Sequence, residues 1–390
     1  MTTKLKVAQH ITPIIYKLQD AGYETYLVGG AIRDIMLGRE PKDYDISTSA
    51  TPEQVRAVFG KRRARIIGKR FKIVHLYHGN EIIEISTFRS IPKSESQPKM
   101  SKEETDSQIL LRDNEYGTAY DDAWRRDFSV NSIFYNPKTD KLIDHTGNGL
   151  QDIKSGLVRV IGEPEVRFSE DPVRMLRALK LVGQYEFSMS KETEQALYKS
   201  LPKITQCSIS RLSLELEKIL RSAYSDKILK TFHDYGFLEY FLPHVNKEWD
   251  NVATKEVLAL LSNHCKRFKE EKCPDYLSGV MALITVPFVN QYFNDNPSDC
   301  YWKLYAGIDK EIKRIMNYTL YPHSFPKYIT SATIDAILLQ QRFYSKIKSP
   351  KTRNHPHFKI ALEVCIDINE LWWKEKGLIK YWTKFKNKNK

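Results

Sequence analysis

The segment Leu27 to Ser47, LVGGAIRDIMLGREPKDYDIS, carries the densest chemistry in the chain. Asp43 and Asp45 lie two apart in a run, Asp43 to Ser47, that reads as a strand, and side chains at that spacing project from one face. Paired carboxylates repel and prefer a divalent cation between them, the arrangement that phosphoryl chemistry uses for Mg²⁺. Upstream, Gly29-Gly30 precedes a short helix read from Ala31 to Leu37. With no Cβ in the way, backbone N–H groups there approach a phosphate closely. Arg33, one turn into that helix, adds a charged donor to the same phosphates. A lone Asp-x-Asp is usually a solvated turn, but strand, Gly-Gly, helix and Asp-x-Asp at this spacing together specify a phosphate and metal site.

Glu84 offers a third carboxylate. It lies in an Ile-Ile-Glu-Ile run, sharing a face with Ile82 and Ser86 while Ile83 and Ile85 occupy the other. A carboxylate in so apolar a strand needs a partner, which a metal or a bound nucleophile provides. An exposed edge strand is the bland alternative, and Asp122 competes for the same role. Further on, Glu170, Arg174 and Arg177 fall at i, i+4, i+7 on one helical face, with Asp171 three before Arg174. An aspartate only accepts hydrogen bonds and a guanidinium only donates. Adenine and cytosine both present an exocyclic amine beside a ring-nitrogen acceptor, so an Asp–Arg pair fits either. Guanine and uracil leave it mismatched. Such a pair selects A or C over G or U and does not choose between A and C. A helix-stabilising Glu170–Arg174 charge pair fits the same spacing.

The elements that must position these groups are readable from periodicity. The first ~165 residues alternate β-like and helical patterns, and the rest is helical, which predicts an α+β fold: an N-terminal mixed sheet with helices, then all-helical neck and body. Leu5, Ala8, Ile11, Ile15 and Leu18 predict an amphipathic first helix. Tyr26 to Gly30 reads as a strand, and Thr51-Pro52-Glu53-Gln54 as a capped helix start. Phe71 to His78 and Glu81 to Thr87 flank Gly79-Asn80 as a hairpin. Residues 91–108 read as a surface loop, and Ser129–Tyr135, Lys141–Asp144 and Leu157–Ile161 as short strands. From Pro172 onward helical spacing dominates. The expected division is a mixed-sheet region over 1–164 and two helical regions over 165–231 and 232–390.

Across its 390 residues the chain carries 61 Lys plus Arg against 48 Asp plus Glu, a formal charge of +13 that favours a polyanionic partner. The longest uncharged apolar stretch, Leu277 to Val289, is shorter than the ~20 residues of a membrane helix. Cys207, Cys265, Cys273, Cys300 and Cys365 contain no Cys-x-x-Cys pair, so neither a disulfide framework nor a zinc ribbon is supported. A monomer in a reducing cytoplasm, away from membranes, is expected. Lys61 to Lys72, dense in Lys and Arg, is a candidate guide for RNA or triphosphate. The lysine-rich C-terminal tail, expected to fray, interleaves Trp382 and Phe385 and invites a backbone-plus-stacking contact with RNA.

Three ordered motifs resemble one family. Gly29-Gly30 with Asp43-Tyr44-Asp45, then Arg125-Arg126-Asp127-Phe128-Ser129-Val130-Asn131, then Glu170-Asp171-Pro172-Val173-Arg174-Met175-Leu176-Arg177 resemble the class II tRNA nucleotidyltransferase and bacterial poly(A) polymerase family. The resemblance is dense over roughly residues 20–245. It implies that the first motif binds two Mg²⁺ ions and the triphosphate of ATP, that Arg126 and Asp127 hold the ribose, and that the third motif, with Asp171, Arg174 and Arg177, reads the base. It implies a template-independent transfer of AMP from ATP to RNA 3′ ends, with a CCA-adding enzyme using CTP and ATP as the alternative. Ile66-Ile67-Gly68-Lys69-Arg70-Phe71-Lys72-Ile73-Val74-His75-Leu76, Leu110-Leu111-Arg112-Asp113-Asn114 and Trp372-Trp373 resemble the poly(A) branch; the short lysine tail departs from it.

Overall fold

The computed structural model describes residues 5–68, 72–79, 81–90, 116–270, 272–294 and 306–387. Lys69 to Phe71, Asn80 of the hairpin turn, the expected loop 91–108, the Leu110–Asn114 run and Cys300 lie outside them. The chain divides into two compact units, one of residues 1–170 with 187–196 and one of residues 171–186 with 197–390.

In the first unit, α1 (Ile11–Asp20) buries Ile11, Ile14, Ile15 and Leu18. The expected helix from Leu5 starts later because Pro13 lacks the N–H that a helix continuing from residue 9 would bond; it is tolerated only in a first turn. β1 (Thr25–Val28), α2 (Gly30–Met36) and β2 (Asp45–Thr48) follow. Asp43 therefore precedes the strand instead of lying on it. α3 (Pro52–Phe59) starts at the expected capping box, in which Thr51 accepts from the Gln54 N–H and Gln54 accepts from the Thr51 N–H. β3 (Ala64–Ile67), β4 (Ile73–His78) and β5 (Glu81–Thr87) run to the edge of a seven-stranded mixed sheet ordered β3-β4-β5-β2-β1-β6-β7. β2 and β5 pair in parallel; the other neighbours are antiparallel.

α4 (Ala119–Trp124) opens with a second capping box at Thr118. The expected strand 129–135 splits: Ser129–Asn131 is a 3₁₀ turn and β6 is Ile133–Asn136. Local side-chain hydrogen bonds win there over the ladder, since Ser129 donates to Asp152 at 2.6 Å and Asn131 to Asp127 at 3.2 Å. β7 (Lys141–Asp144), α5 (Gly149–Ser155), β8 (Leu157–Val158), and α6 (Pro164–Glu170) complete this stretch, with β8 pairing in parallel with β9 (Ser188–Met189).

The second unit is helical. It contains α7 (Val173–Tyr185), the end of α8 (Lys191–Ser200), α9 (Ile209–Leu220), α10 (Ser225–Asp234), α11 (Leu238–Phe241), α12 (Pro243–Lys247) and α13 (Val252–Lys269). α14 (Leu277–Asn294), α15 (Ile308–Thr319), α16 (Lys327–Tyr344), α17 (Pro350–Arg353), α18 (Phe358–Ile368) and α19 (Leu378–Asn387) follow. α14 holds the most apolar stretch and is packed by α13, α15, α16 and α18, with Met281, Ala282, Val286 and Val289 fully enclosed. No helix among the described residues is long and apolar enough to cross a membrane.

Among the described residues the expected frayed tail is instead helical as far as Asn387. α19 is anchored by Trp382, which is completely buried against Phe343 and Phe358 and donates its Nε1–H to the Phe343 carbonyl at 3.0 Å. A ring in that position has no face left for a base. His264, Cys265 and Cys273 are likewise core groups: His264 lies 3.2 Å from Asp367, and Cys265 3.2 Å from the Ser225 hydroxyl.

Candidate active site

Strand register assembles the acidic face. Parallel pairing of β2 with β5 sets Asp45 beside Glu84 and Ser47 beside Ser86, whose hydroxyls are 3.0 Å apart. On the flanks, β1 sets Val28 beside Asp45 and β4 sets His75 beside Glu84. Registered neighbours share a face, so His75, Glu84, Asp45 and Val28 form one row across the sheet. The opposite face takes Ile46, Ile83 and Ile85, all buried.

α4 covers one end of this face, packing Ala119 and Ala123 against Tyr26, Val28, Phe88 and Phe134. It delivers Asp122, buried, to within 3.4 Å of the Ser47 hydroxyl. Arg126, four residues on, ion-pairs with Asp122 at 3.0 Å, donates to Ser47 and to the Asn131 carbonyl, both at 3.3 Å, and stacks its guanidinium 5.3 Å from the Phe134 ring. Gly29 is wedged against the same groups. Its φ is +77°, and a Cβ there would stand 3.2 Å from the Arg126 guanidinium and 3.7 Å from the Asp45 carboxylate. Only glycine meets both demands. Its own N–H is committed to the Ile133 carbonyl, so the close approach, not that donor, is what Gly29 contributes.

The electrostatics are unbalanced. Asp45 is pushed up to about 6, first by desolvation and then by the negative charges of Glu84 and Asp43, against the pull of Arg126. Asp43, Asp45 and Glu84 stand near one guanidinium, Arg126, which Asp122 also engages, and a divalent cation would fit that set of carboxylates.

The other candidate residues fall as follows. Asp43 is exposed just before β2, and Glu84, 55% exposed, lies 3.6 Å from His75. Glu84 is thus open on the Asp45 face, whereas Asp122 is already held by Arg126 and Ser47. Arg33 is buried, donating to Asp34 at 2.8 Å and to the Asn131 side chain at 2.6 Å; a phosphate would have to exchange with these partners. Asp127 accepts from the Phe128 N–H at 2.9 Å and from Asn131, and so fixes the 3₁₀ turn. An open cleft of about 1380 Å³ lies between α2, β7 and α5, and Tyr44, between the two aspartates, is among its walls.

The motif expected to read the base, Glu170 to Arg177, differs from the single helix expected. Asp171-Pro172 breaks the chain between α6 and α7, so Glu170 ends one helix, where it ion-pairs with Arg167 at 2.9 Å, while Arg174 and Arg177 lie on the next. Proline cannot donate the bond that would carry the helix through. Asp171 accepts from the Val173 N–H at 3.2 Å and from Arg211 of α9 at 2.8 Å. Arg174 is half-buried and Arg177 exposed.

Ser47, Ser86, His75, Asn131 and Arg211 had no assigned role in the sequence reading. Ser47 and Ser86 follow once β2–β5 pairing is known, by counting in twos from Asp45 and Glu84, and His75 follows from the β4–β5 register that sets it beside Glu84. Arg211, 40 residues from its partner, leaves no local signal.

A family model described as the poly A polymerase head domain matches residues 25–159, and one described as a probable RNA and SrmB-binding site of polymerase A matches residues 186–248. The chain is 30% identical over 366 residues to poly(A) polymerase I of Salmonella typhi, covering 92% of this chain and 77% of that protein. It is 36% identical over 227 residues to the CCA-adding enzyme of Geobacillus sp., covering 58% and 53%. Among solved structures, the Bacillus stearothermophilus CCA-adding enzyme in complex with CTP shares the fold, with a TM-score of 0.62 at 23% identity over 97% of this chain and 80% of that one. The chain belongs to the nucleotidyltransferase family that contains poly(A) polymerase I and the CCA-adding enzymes.

Proposed function

We propose that this chain transfers AMP from ATP to RNA 3′ ends repeatedly and without a template, releasing pyrophosphate. One observation carries the choice of branch: similarity to poly(A) polymerase I runs through 92% of the chain, whereas similarity to the CCA-adding enzyme spans 58%. The head (1–164) performs the transfer, the neck (165–231) reads the base and the body (232–390) holds RNA.

In the reaction the RNA 3′-oxygen attacks the α-phosphorus of ATP, and the bond to pyrophosphate breaks. Asp43 and Asp45 are the residues that would hold two Mg²⁺ ions, with Glu84 on the hydroxyl side. When bound, such ions neutralise the triphosphate and lower the pKa of the attacking hydroxyl. Arg126 balances Asp45 and, through Asp122 and Ser47, fixes the sheet face on which the carboxylates stand. Gly29 lets the chain after β1 lie against that face. Arg126 and Asp127 frame the ribose. Asp171 and Arg174 read the amine and ring nitrogen of the base. Both Asp171 oxygens already have partners, in the Val173 N–H and in Arg211, so the carboxylate is fixed in place, which supports recognition of one base shape over two.

The deciding test is the product. On a generic RNA with a free 3′ end, the enzyme should add many A residues from ATP and extend poorly with CTP. A product that stops after C-C-A on tRNA lacking its terminus, with no extension of generic RNA, would instead assign the CCA-adding reaction.

A further inference from the structure

Away from the carboxylate face, two chain segments of the helical unit converge on a different donor set. Asp335 lies in the middle of α16. His355 and His357 flank Pro356 in the short link between α17 and α18, and His357 is the residue just before α18. His357 Nδ1 stands 2.8 Å from an Asp335 oxygen, across 22 residues of sequence. His355 Nδ1 accepts from the His357 backbone N–H at 3.2 Å, a bond the ring gives up when it ligates, and the two ring centroids are 5.8 Å apart. One ligand atom of each residue lies within 4.8 Å of the other two, and this is the one such grouping of three among the described residues. All three are half-buried, so they are held in place and remain reachable by solvent.

We propose that Asp335, His355 and His357 form a binding site for a borderline divalent transition metal, with Zn²⁺ the expected occupant. Two imidazoles and one carboxylate are the ligands such ions take, whereas Mg²⁺ and Ca²⁺ select all-oxygen sets. Ligand atoms around one tetrahedral zinc at ~2.0–2.2 Å stand ~3.3–3.6 Å apart, so the three groups, now within 4.8 Å of one another, must draw in by about 1 Å through rotation of the rings to share an ion. The protein supplies three ligands, and water completes the shell. The ion would tie the α17–α18 link to the middle of α16, a join made in its absence by the His357–Asp335 hydrogen bond. The site is separate from the carboxylate face in both residues and donor chemistry, and does not depend on the polyadenylation reading.

The test uses the full chain, stripped with EDTA and titrated with Zn²⁺ alone and with Co²⁺ alone, in an Asp45→Asn, Glu84→Gln background that removes uptake at the carboxylate face. One equivalent of Zn²⁺ should bind at micromolar concentration and raise the thermal midpoint, and Co²⁺ should develop visible d–d absorption. His355→Ala and His357→Gln should each weaken binding by ~10–100-fold or more and abolish the absorption, with His355→Gln as the conservative variant should the alanine form fail to fold. Uptake that survives unchanged in a folded His355 variant, or no uptake by the parent at micromolar zinc, overturns the proposal.

Discussion

At the scale of single residues, the face around Asp45 sets the strongest expectations. Asp45→Asn should lower AMP incorporation at saturating Mg²⁺ by more than about a hundredfold, since it removes both charge and ligand; a variant keeping a tenth of wild-type activity would refute the metal assignment. Asp171→Ala should raise the KM for ATP and erode discrimination against GTP and UTP by ~10–100-fold, the worth of one charged hydrogen bond. Steady-state competition between nucleotides reads it directly. Much of this face was legible from alternation alone: Glu84 between Ile83 and Ile85 had to point away from the core, and it does. What alternation does not carry is partnership. Arg33 looked like a phosphate donor, yet its guanidinium is taken up by Asp34 and Asn131, the second of them far along the chain.

At the scale of elements, boundaries are where sequence and structure part, and each case has a local cause. Pro13 delays the first helix, Pro172 splits the segment expected to read the base into α6 and α7, and side-chain hydrogen bonds at Ser129 and Asn131 turn an expected strand into a 3₁₀ turn. The packing of one helix against another is not visible in periodicity, and it produces a pH dependence. His323 sits between α15 and α16 with Nε2 donating to the Phe241 carbonyl at 2.8 Å, and burial lowers its pKa to about 4. From pH 6.5 down to 4 the unfolded chain binds a proton there that the folded chain refuses. Its contribution is therefore complete above pH 6.5 and falls as the pH drops through that window, by about 2–3 kcal/mol. Denaturant melts at a series of pH values should show this loss, and His323→Gln should flatten it.

At the scale of the whole molecule, the +13 excess predicts a steep response to salt. RNA affinity should fall by a factor of ten or more between ~50 and ~200 mM salt if several phosphates are neutralised; a flat dependence would remove charge as the source of RNA binding. The α+β layout, a mixed sheet followed by helices, was readable from the change of period near residue 165. The sheet order was not, because parallel pairing of β2 with β5 is a long-range choice that no local pattern records.

That pairing has a consequence for how activity is lost. Ser47 meets Ser86 across 39 residues and Arg126 across 79, so no short fragment of the chain contains the site. Asp45 and Glu84 stand on inner strands, while β3 and β7 form the edges. The edges can open and close on their own without disturbing the carboxylates, because local opening and global unfolding differ in free energy. Heat should therefore inactivate the enzyme only when the first unit melts cooperatively, and fraying at its rims should leave the rate untouched.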